Sequence, residues 1–172
     1  MVIWLIGLSG AGKTTLGSAL ASTWRARAPG TVLVDGDIVR RVFNQHDGDA
    51  PYTVGGRREN AERITALCEW LDAQSINVVC CILSIFPDLR AENRARFSRY
   101  YEVYLRAPVE VLARRDGKSL YASALRGERR NVVGVDIAFP EPTDCDLVLD
   151  TSGALPDIDA LARRVLNESK AW

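Results

Sequence analysis

Residues 7–14, which read Gly-Leu-Ser-Gly-Ala-Gly-Lys-Thr, decide the fold because they match the pattern Gly-x4-Gly-Lys-Ser/Thr at every fixed position. The apolar run Val2–Ile6 before them predicts a strand that is buried on both faces. Apolar residues at i, i+4 and i+8 predict a helix from residue 13 to about residue 28. A strand before and a helix after are the context in which this motif binds nucleotide phosphates.

Each fixed residue of this phosphate-binding loop has a chemical role. The glycines allow a turn whose N–H groups point at phosphate oxygens, and the helix start adds the positive end of its dipole. Lys13 is predicted to reach the β- and γ-phosphates, and the Thr14 hydroxyl is predicted to bind Mg²⁺. The residues predicted to bind ATP are Gly7, Ser9, Gly10, Ala11, Gly12, Lys13, Thr14 and Thr15.

Two carboxylates, in the sequence Asp35-Gly36-Asp37, follow a second predicted strand at 31–34. Ligands of such sheets lie at the carboxyl ends of the strands, so both carboxylates are predicted to face the γ-phosphate. One could hold a metal-bound water while the other positions the acceptor hydroxyl, and Thr14 and Asp35 form the predicted metal site. An alternative is that Asp37 is the N-cap of the next helix.

Apolar runs alternate with segments of helical periodicity along the rest of the chain, which is typical of a parallel sheet covered by helices. Further strands are predicted at 76–83, 101–105 and 147–149, and helices at 39–43, 57–73, 87–99, 108–114 and 158–166. The sequence therefore predicts an α/β, three-layer P-loop NTPase fold with a five-stranded parallel sheet. It forms one domain over 1–172, with a mobile basic lid at about 114–134.

Composition limits the classes of partner. The 172 residues include 22 basic and 22 acidic residues, so no overall charge attracts a nucleic acid polymer or a membrane surface. The four cysteines show no metal-ligand spacing, and a single histidine disfavours a histidine-based catalytic site. We expect neither a signal peptide nor a membrane span, and we predict a cytoplasmic protein.

The loop alone does not separate a kinase from a GTPase or a motor ATPase. A GTPase would carry an Asn-Lys-x-Asp base-reading motif, which is absent from the sequence, and the chain is short for a motor. Arg40, Arg57 and Asn60 follow the two carboxylates, and arginine side chains suit phosphate or sulfate oxygens. These residues favour a kinase whose acceptor is a small anion, although a solvated helix face is the alternative for Arg57.

Several motifs together resemble the adenylylsulfate (APS) kinases, which phosphorylate the 3′-hydroxyl of adenosine 5′-phosphosulfate. They are Gly-Leu-Ser-Gly-Ala-Gly-Lys-Thr-Thr at 7–15, Asp-Gly-Asp-Ile-Val-Arg at 35–40, Arg-Arg-Glu-Asn at 57–60 and Arg-Asp-Gly-Lys-Ser-Leu-Tyr at 115–121, with Ser84, Gly134-Val-Asp and Glu141-Pro142. The resemblance implies a substrate set of Asp37, Arg40, Tyr52, Arg57, Asn60, Leu83, Ser84, Lys118 and Val132. It implies a catalytic set of Lys13, Asp35, Asp37 and Ser84, a lid that includes Lys118 and Tyr121, and a possible homodimer.

The predicted base pocket departs from the family pattern. The family places the acceptor base between two phenylalanines, and here the matching positions hold Tyr52 and Val132. One stacking face is therefore aliphatic, whereas base–aromatic stacking is worth about 1–3 kcal/mol per base. Adenosine 5′-phosphosulfate is the first candidate acceptor, and another nucleotide, such as cytidine diphosphoramidate in capsule modification, is the second. A nucleotide-binding module without catalysis is the third hypothesis.

Overall fold

Five parallel strands and seven α-helices alternate along the parts of the chain that the computed structural model describes, residues 1–45, 47–117, 119–153 and 157–171. The strands are β1 (Val2–Ile6), β2 (Thr31–Asp35), β3 (Asn77–Ile82), β4 (Tyr100–Arg106) and β5 (Leu147–Asp150). The helices are α1 (Lys13–Arg25), α2 (Gly36–Val42), α3 (Val54–Ala73), α4 (Pro87–Arg96), α5 (Val109–Arg115), α6 (Leu120–Leu125) and α7 (Ile158–Glu168), with a 3-10 turn at Ala50–Tyr52.

The strand order β2-β3-β1-β4-β5 puts β1, and the loop that follows it, at the centre of the sheet. All four strand pairs are parallel, so the carboxyl ends of the strands meet at one edge. Asp35 at the end of β2 is level with Cys81 of β3, and Cys81 is level with Leu5 of β1. The topology therefore brings Asp35 to the edge where the phosphate-binding loop begins.

Apolar side chains fill both faces of the sheet, which gives the three layers that the sequence predicts. The core on one face includes α1 and α7, and Leu16, Leu20 and Trp24 of α1 are each at most 1% exposed. The core on the other face includes Ile64 and Cys68 of α3, both 0% exposed. The predicted fold class is confirmed.

Two helices begin earlier than the sequence patterns predict, because side-chain caps stabilise their first turns. Helix α2 begins at Gly36, since Asp35 Oδ1 accepts hydrogen bonds from the backbone N–H groups of Asp37 (2.9 Å) and Ile38 (3.3 Å). The N-cap is therefore Asp35, and the alternative that Asp37 caps this helix is wrong. Helix α3 begins at Val54 after Thr53, whose hydroxyl accepts from the Gly56 N–H.

Two kinds of feature are absent from the described part of the chain. In residues 1–45, 47–117, 119–153 and 157–171, no helix combines the length and the apolar character needed to cross a bilayer. The same residues hold no group of three or more His, Cys, Asp or Glu side chains arranged to bind a metal ion.

Adjacent glycines in the first turn of α3 allow a matched test of close packing. A Cβ atom at Gly56 would lie 2.2 Å from the Ala50 carbonyl oxygen, whereas one at Gly55 would meet nothing within 4 Å. We expect Gly56→Ala to lower the free energy of unfolding by about 1–3 kcal/mol through overpacking. Gly55→Ala should instead raise it by up to about 1 kcal/mol, the helix propensity difference. Urea unfolding would measure both, and equal effects would contradict the packing argument.

Candidate active site

The phosphate-binding loop leaves the end of β1 and turns directly into α1. Gly10 (φ 79°) and Gly12 (φ 96°) lie in the left-handed region, which glycine adopts without steric cost. A Cβ atom at Gly7 would lie 2.6 Å from the Leu105 carbonyl oxygen, so close packing also requires glycine there. Helix α1 starts after Gly12 with no side-chain cap. Its first N–H groups therefore form a binding position for an anionic group.

Lys13 is held beside this loop by a neutral partner. Its Nζ donates to the Leu8 carbonyl oxygen at 2.8 Å. Burial lowers the pKa of Lys13 to about 8, although the nearby Asp37 and Asp35 carboxylates favour the charged form. The lysine is thus poised to gain charge stabilisation when phosphate oxygens approach it.

A short hydrogen bond joins the loop to the acidic motif. Thr14 Oγ1 donates to Asp35 Oδ2 at 2.7 Å, while the other oxygen of the same carboxylate caps α2. One hydroxyl and one carboxylate oxygen at this distance fit Mg²⁺, which commonly takes few protein oxygens together with substrate phosphates. Asp37 lies beside them with a side chain that is 89% exposed. The predicted catalytic carboxylates and the loop therefore form one cluster.

A second cluster, formed by Arg40, Tyr52 and Arg57, lies next to the first. The guanidinium carbons of Arg40 and Arg57 lie 5.2 Å and 5.8 Å from the centre of the Tyr52 ring. Burial, followed by the charge of Arg40, lowers the pKa of Arg57 to about 10. Arg40 Nη1 lies 3.9 Å from Asp37 Oδ1, and this ion pair joins the two clusters. Two neighbouring guanidinium groups form an environment that favours a bound anion.

Arg57 also connects two loops, in a contact that we call the Arg57 bridge. Its Nε donates to the Tyr52 carbonyl oxygen at 2.8 Å, and its Nη2 donates to the Asn131 carbonyl oxygen at 2.9 Å. Asp136 supports this arrangement by accepting from the backbone N–H groups of Asn131 and Val132. The bridge fixes the spacing between the segments that carry the two predicted walls of the base pocket.

The remaining predicted substrate residues lie at several depths. Asn60 is 3% exposed, and its Oδ1 has no hydrogen-bond partner within the described ranges. A ligand that donates a hydrogen bond could satisfy this buried oxygen. Ser84 follows β3 and is 5% exposed, and Leu83 before it is half-buried. Val132 is 3% exposed and belongs to the apolar core. Lys118 lies outside the described residues, so its contact with substrate stays a prediction.

The segment predicted as a mobile lid, about 114–134, is attached to the core at both ends. Tyr121 is 1% exposed, and Val132 and Val133 are 3% and 2% exposed. Between these anchors, residues 125–130 are all exposed. Lid motion stays a prediction, and these six residues are the part of the segment with least packing.

Some functional contacts were not foreseen from the sequence. The Thr14–Asp35 hydrogen bond was not predicted as such, although both residues were assigned to one metal site. The sequence pattern did not predict two further contacts. The Asn131 carbonyl oxygen accepts from Arg57, and Cys81 Sγ donates to the Lys13 carbonyl oxygen at 3.3 Å. Asp136 was identified from the sequence only as part of the Gly134-Val-Asp motif, and its contacts with Asn131 and Val132 were not predicted.

Comparison with known proteins gives consistent matches over most of the chain. The sequence model of the adenylylsulphate kinase family matches residues 1–150. Cytidine diphosphoramidate kinase of Campylobacter jejuni is 36% identical over 151 residues, which cover 88% of this chain and 86% of that protein. Adenylyl-sulfate kinase of Paraburkholderia xenovorans is 36% identical over 153 residues, covering 87% and 83%.

A solved structure gives the same result at the level of the fold. The APS kinase CysC of Mycobacterium tuberculosis, in complex with AMPPNP and APS, superposes with a TM-score of 0.85. The two sequences are 27% identical, and the match covers 98% of this chain and 96% of that one. The likeness therefore extends over nearly the whole length of both chains.

Because the pKa of Lys13 is lowered to about 8, we expect the affinity for ADP to depend on pH. A bound phosphate stabilises the protonated lysine and raises its pKa, so binding requires a proton that the free protein loses above pH 8. We expect the Kd for Mg·ADP to increase about tenfold between pH 7.5 and 9, with proton uptake in calorimetry. Lys13→Met should bind weakly, with no such trend. A constant Kd in the wild-type protein over this range would contradict the assignment.

Proposed function

This chain belongs to the adenylylsulphate kinase family, and on that premise we propose that it transfers the γ-phosphoryl group of ATP to the 3′-hydroxyl of adenosine 5′-phosphosulfate. Members of this family are ATP-dependent phosphotransferases, and this chain is one of them. The observation that carries the proposal is the Thr14–Asp35 hydrogen bond beside Lys13. This contact supports the proposal because it joins a hydroxyl of the phosphate-binding loop to a carboxylate, close to the charge of Lys13.

The proposed chemistry needs alignment and charge stabilisation more than a covalent intermediate. Lys13 exchanges the Leu8 carbonyl oxygen for oxygens of the transferred group and stabilises the negative charge of the transition state. Thr14 and Asp35 would hold Mg²⁺, which when bound neutralises charge on the β- and γ-phosphates. Asp37, with its exposed carboxylate, orients the acceptor hydroxyl. Ser84, buried after β3, acts as a substrate contact in this proposal.

The second cluster is the proposed site for the acceptor's anionic group. Arg40 and Arg57 lie on Tyr52, and Arg40 reaches toward Asp37. An acceptor bound there has its phosphate or sulfate between two guanidinium groups and its sugar hydroxyl beside the carboxylates of the first cluster. The buried Asn60 Oδ1, which has no partner among the described residues, would accept a hydrogen bond from an N–H or O–H group of the acceptor.

Cytidine diphosphoramidate is the second candidate acceptor. The valine at 132, where the family has a phenylalanine, supports it, as does the likeness to a kinase named for that substrate. Both acceptors present an anionic nucleotide with a free sugar hydroxyl, so the same residues could act on either. The candidates differ in the base and in the group at the end of the phosphate chain.

We also propose a cytoplasmic location and a homodimer, in keeping with the family resemblance. The four cysteines are free, and three of them, Cys68, Cys80 and Cys81, are buried. Free thiols without disulfides fit a reducing compartment.

Removing the Lys13 ammonium group tests catalysis directly. We expect Lys13→Ala to lower turnover by roughly 10²-fold or more, the scale for the loss of one transition-state charge partner. Phosphoryl transfer would be followed as acceptor-dependent release of ADP. Lys170→Ala, which alters an exposed lysine far along the chain, is the control and should stay within twofold of wild type. Lys13→Ala activity within threefold of wild type would refute the role.

A comparison of acceptors tests the substrate assignment. Acceptor-dependent ADP release with adenosine 5′-phosphosulfate should exceed that with cytidine diphosphoramidate by at least about tenfold in kcat/KM, or roughly 1.4 kcal/mol. Val132→Phe, which restores the family's aromatic residue, should increase the preference for the adenine acceptor if the side chain contacts the base. A higher kcat/KM for the cytidine compound would overturn the first assignment in favour of the second.

A further inference from the structure

Tyr121 reaches the phosphate-binding loop from the interior of the protein. Its side chain is 1% exposed, and its hydroxyl donates to the Ser9 carbonyl oxygen at 2.9 Å. The two residues are 112 positions apart in the chain, so the contact is a product of the tertiary fold.

The contact fixes the orientation of one peptide group of the loop. A trans peptide is planar, so the C=O of Ser9 and the N–H of Gly10 point in opposite directions. Tyr121 belongs to the buried core, whereas Gly10 is exposed. With the Ser9 carbonyl held toward the core, the Gly10 N–H points to the open side, where the loop would receive phosphate oxygens.

Glycine makes this peptide group easy to reorient when nothing holds it. Gly10 has φ 79°, and glycine adopts positive and negative φ with similar ease. In the opposite orientation, the Ser9 carbonyl oxygen would point at the phosphates and repel them. A hydrogen bond to that carbonyl therefore favours the binding form of the loop before any ligand arrives.

Both the backbone and the ring of Tyr121 are fixed by contacts within the protein. Asp116 Oδ2 accepts from the Tyr121 backbone N–H at 2.8 Å, and the ring packs in the same core as Leu112. Burial raises the pKa of Tyr121 to about 12, so its hydroxyl stays a donor at any pH at which the enzyme would work. The support of the loop thus extends to the base of the predicted lid segment.

We propose that Tyr121 is a positioning residue for the phosphate donor, because its hydroxyl holds the Ser9–Gly10 peptide with the Gly10 N–H directed at the donor's phosphates. The inference rests on the proposed function only in that the loop binds a nucleotide phosphate. It does not depend on which acceptor is used. According to this inference, a contact on the buried side of the phosphate-binding loop increases the affinity for the phosphate donor.

Tyr121→Phe removes the hydroxyl and keeps the ring. We expect its Kd for Mg·ADP and its KM for ATP to rise about 2- to 10-fold, the effect of losing one neutral hydrogen bond. The acceptor KM should stay within twofold of wild type. Tyr100→Phe is the matched control, since it removes a hydroxyl that donates to Glu102 Oε2 on the opposite face of the sheet. It should leave ADP affinity within twofold, even if its Tm falls.

Calorimetry with Mg·ADP separates this inference from the proposed function. If the wild-type protein binds Mg·ADP but phosphorylates neither acceptor, the function fails while the Tyr121 comparison remains valid. If Tyr121→Phe loses thermal stability but binds Mg·ADP within twofold of wild type, the residue is structural only and the inference is overturned.

A measurement on the wild-type protein covers the case in which the variant does not fold. The backbone ¹H resonance of Gly10 should move downfield on saturation with Mg·ADP, because its N–H then donates to a phosphate oxygen. A Gly10 resonance that does not move at saturation would overturn the inference without any substitution.

Discussion

The hydrogen bond between Thr14 and Asp35 is the contact on which the arrangement of the site depends. Thr14 belongs to the first turn of α1, and Asp35 ends β2 and caps α2 with its second oxygen. One carboxylate therefore sets the relative positions of two helices and the strand between them. Arg40 is carried by α2, so this contact also sets the distance from the phosphate-binding loop to the arginine cluster. The Asp35 side chain therefore contributes both to the proposed metal site and to the packing of the elements around it.

The strand order explains how two nucleotides could meet at one point. Because β1 is central, its loop is reached from both sides of the sheet edge. Most residues proposed for the acceptor lie on the segment between β2 and β3 or just after β3, whereas the 131–136 segment precedes β5 in the chain. The Arg57 bridge joins these two segments through the carbonyl oxygens of Tyr52 and Asn131. In the proposed function, the acceptor's sugar hydroxyl meets the terminal phosphate close to this bridge.

Local patterns predicted most of this fold, and long-range contacts account for what they did not predict. The loop motif and the apolar runs gave the five-stranded sheet and the neighbourhood of Lys13, Thr14 and Asp35, because each depends on a few consecutive residues. The cap at Asp35 was not predicted, and only the alternative of a cap at Asp37 was considered, since both carboxylates suit the start of α2 and only geometry distinguishes them. Contacts such as Tyr121 to Ser9 span 112 positions and join a side chain to a backbone atom, which no residue pattern specifies.

Arg57 has neutral hydrogen-bond partners, and this bears on how anions in the solution interact with the site. In these two hydrogen bonds the guanidinium group donates to neutral carbonyl oxygens, so neither acceptor carries a negative charge that offsets its positive charge. If the acceptor's anionic group binds at Arg57 as proposed, small inorganic anions such as sulfate and phosphate would compete for the same position. The apparent affinity for the acceptor would then depend on the composition of the buffer, even where ionic strength is constant.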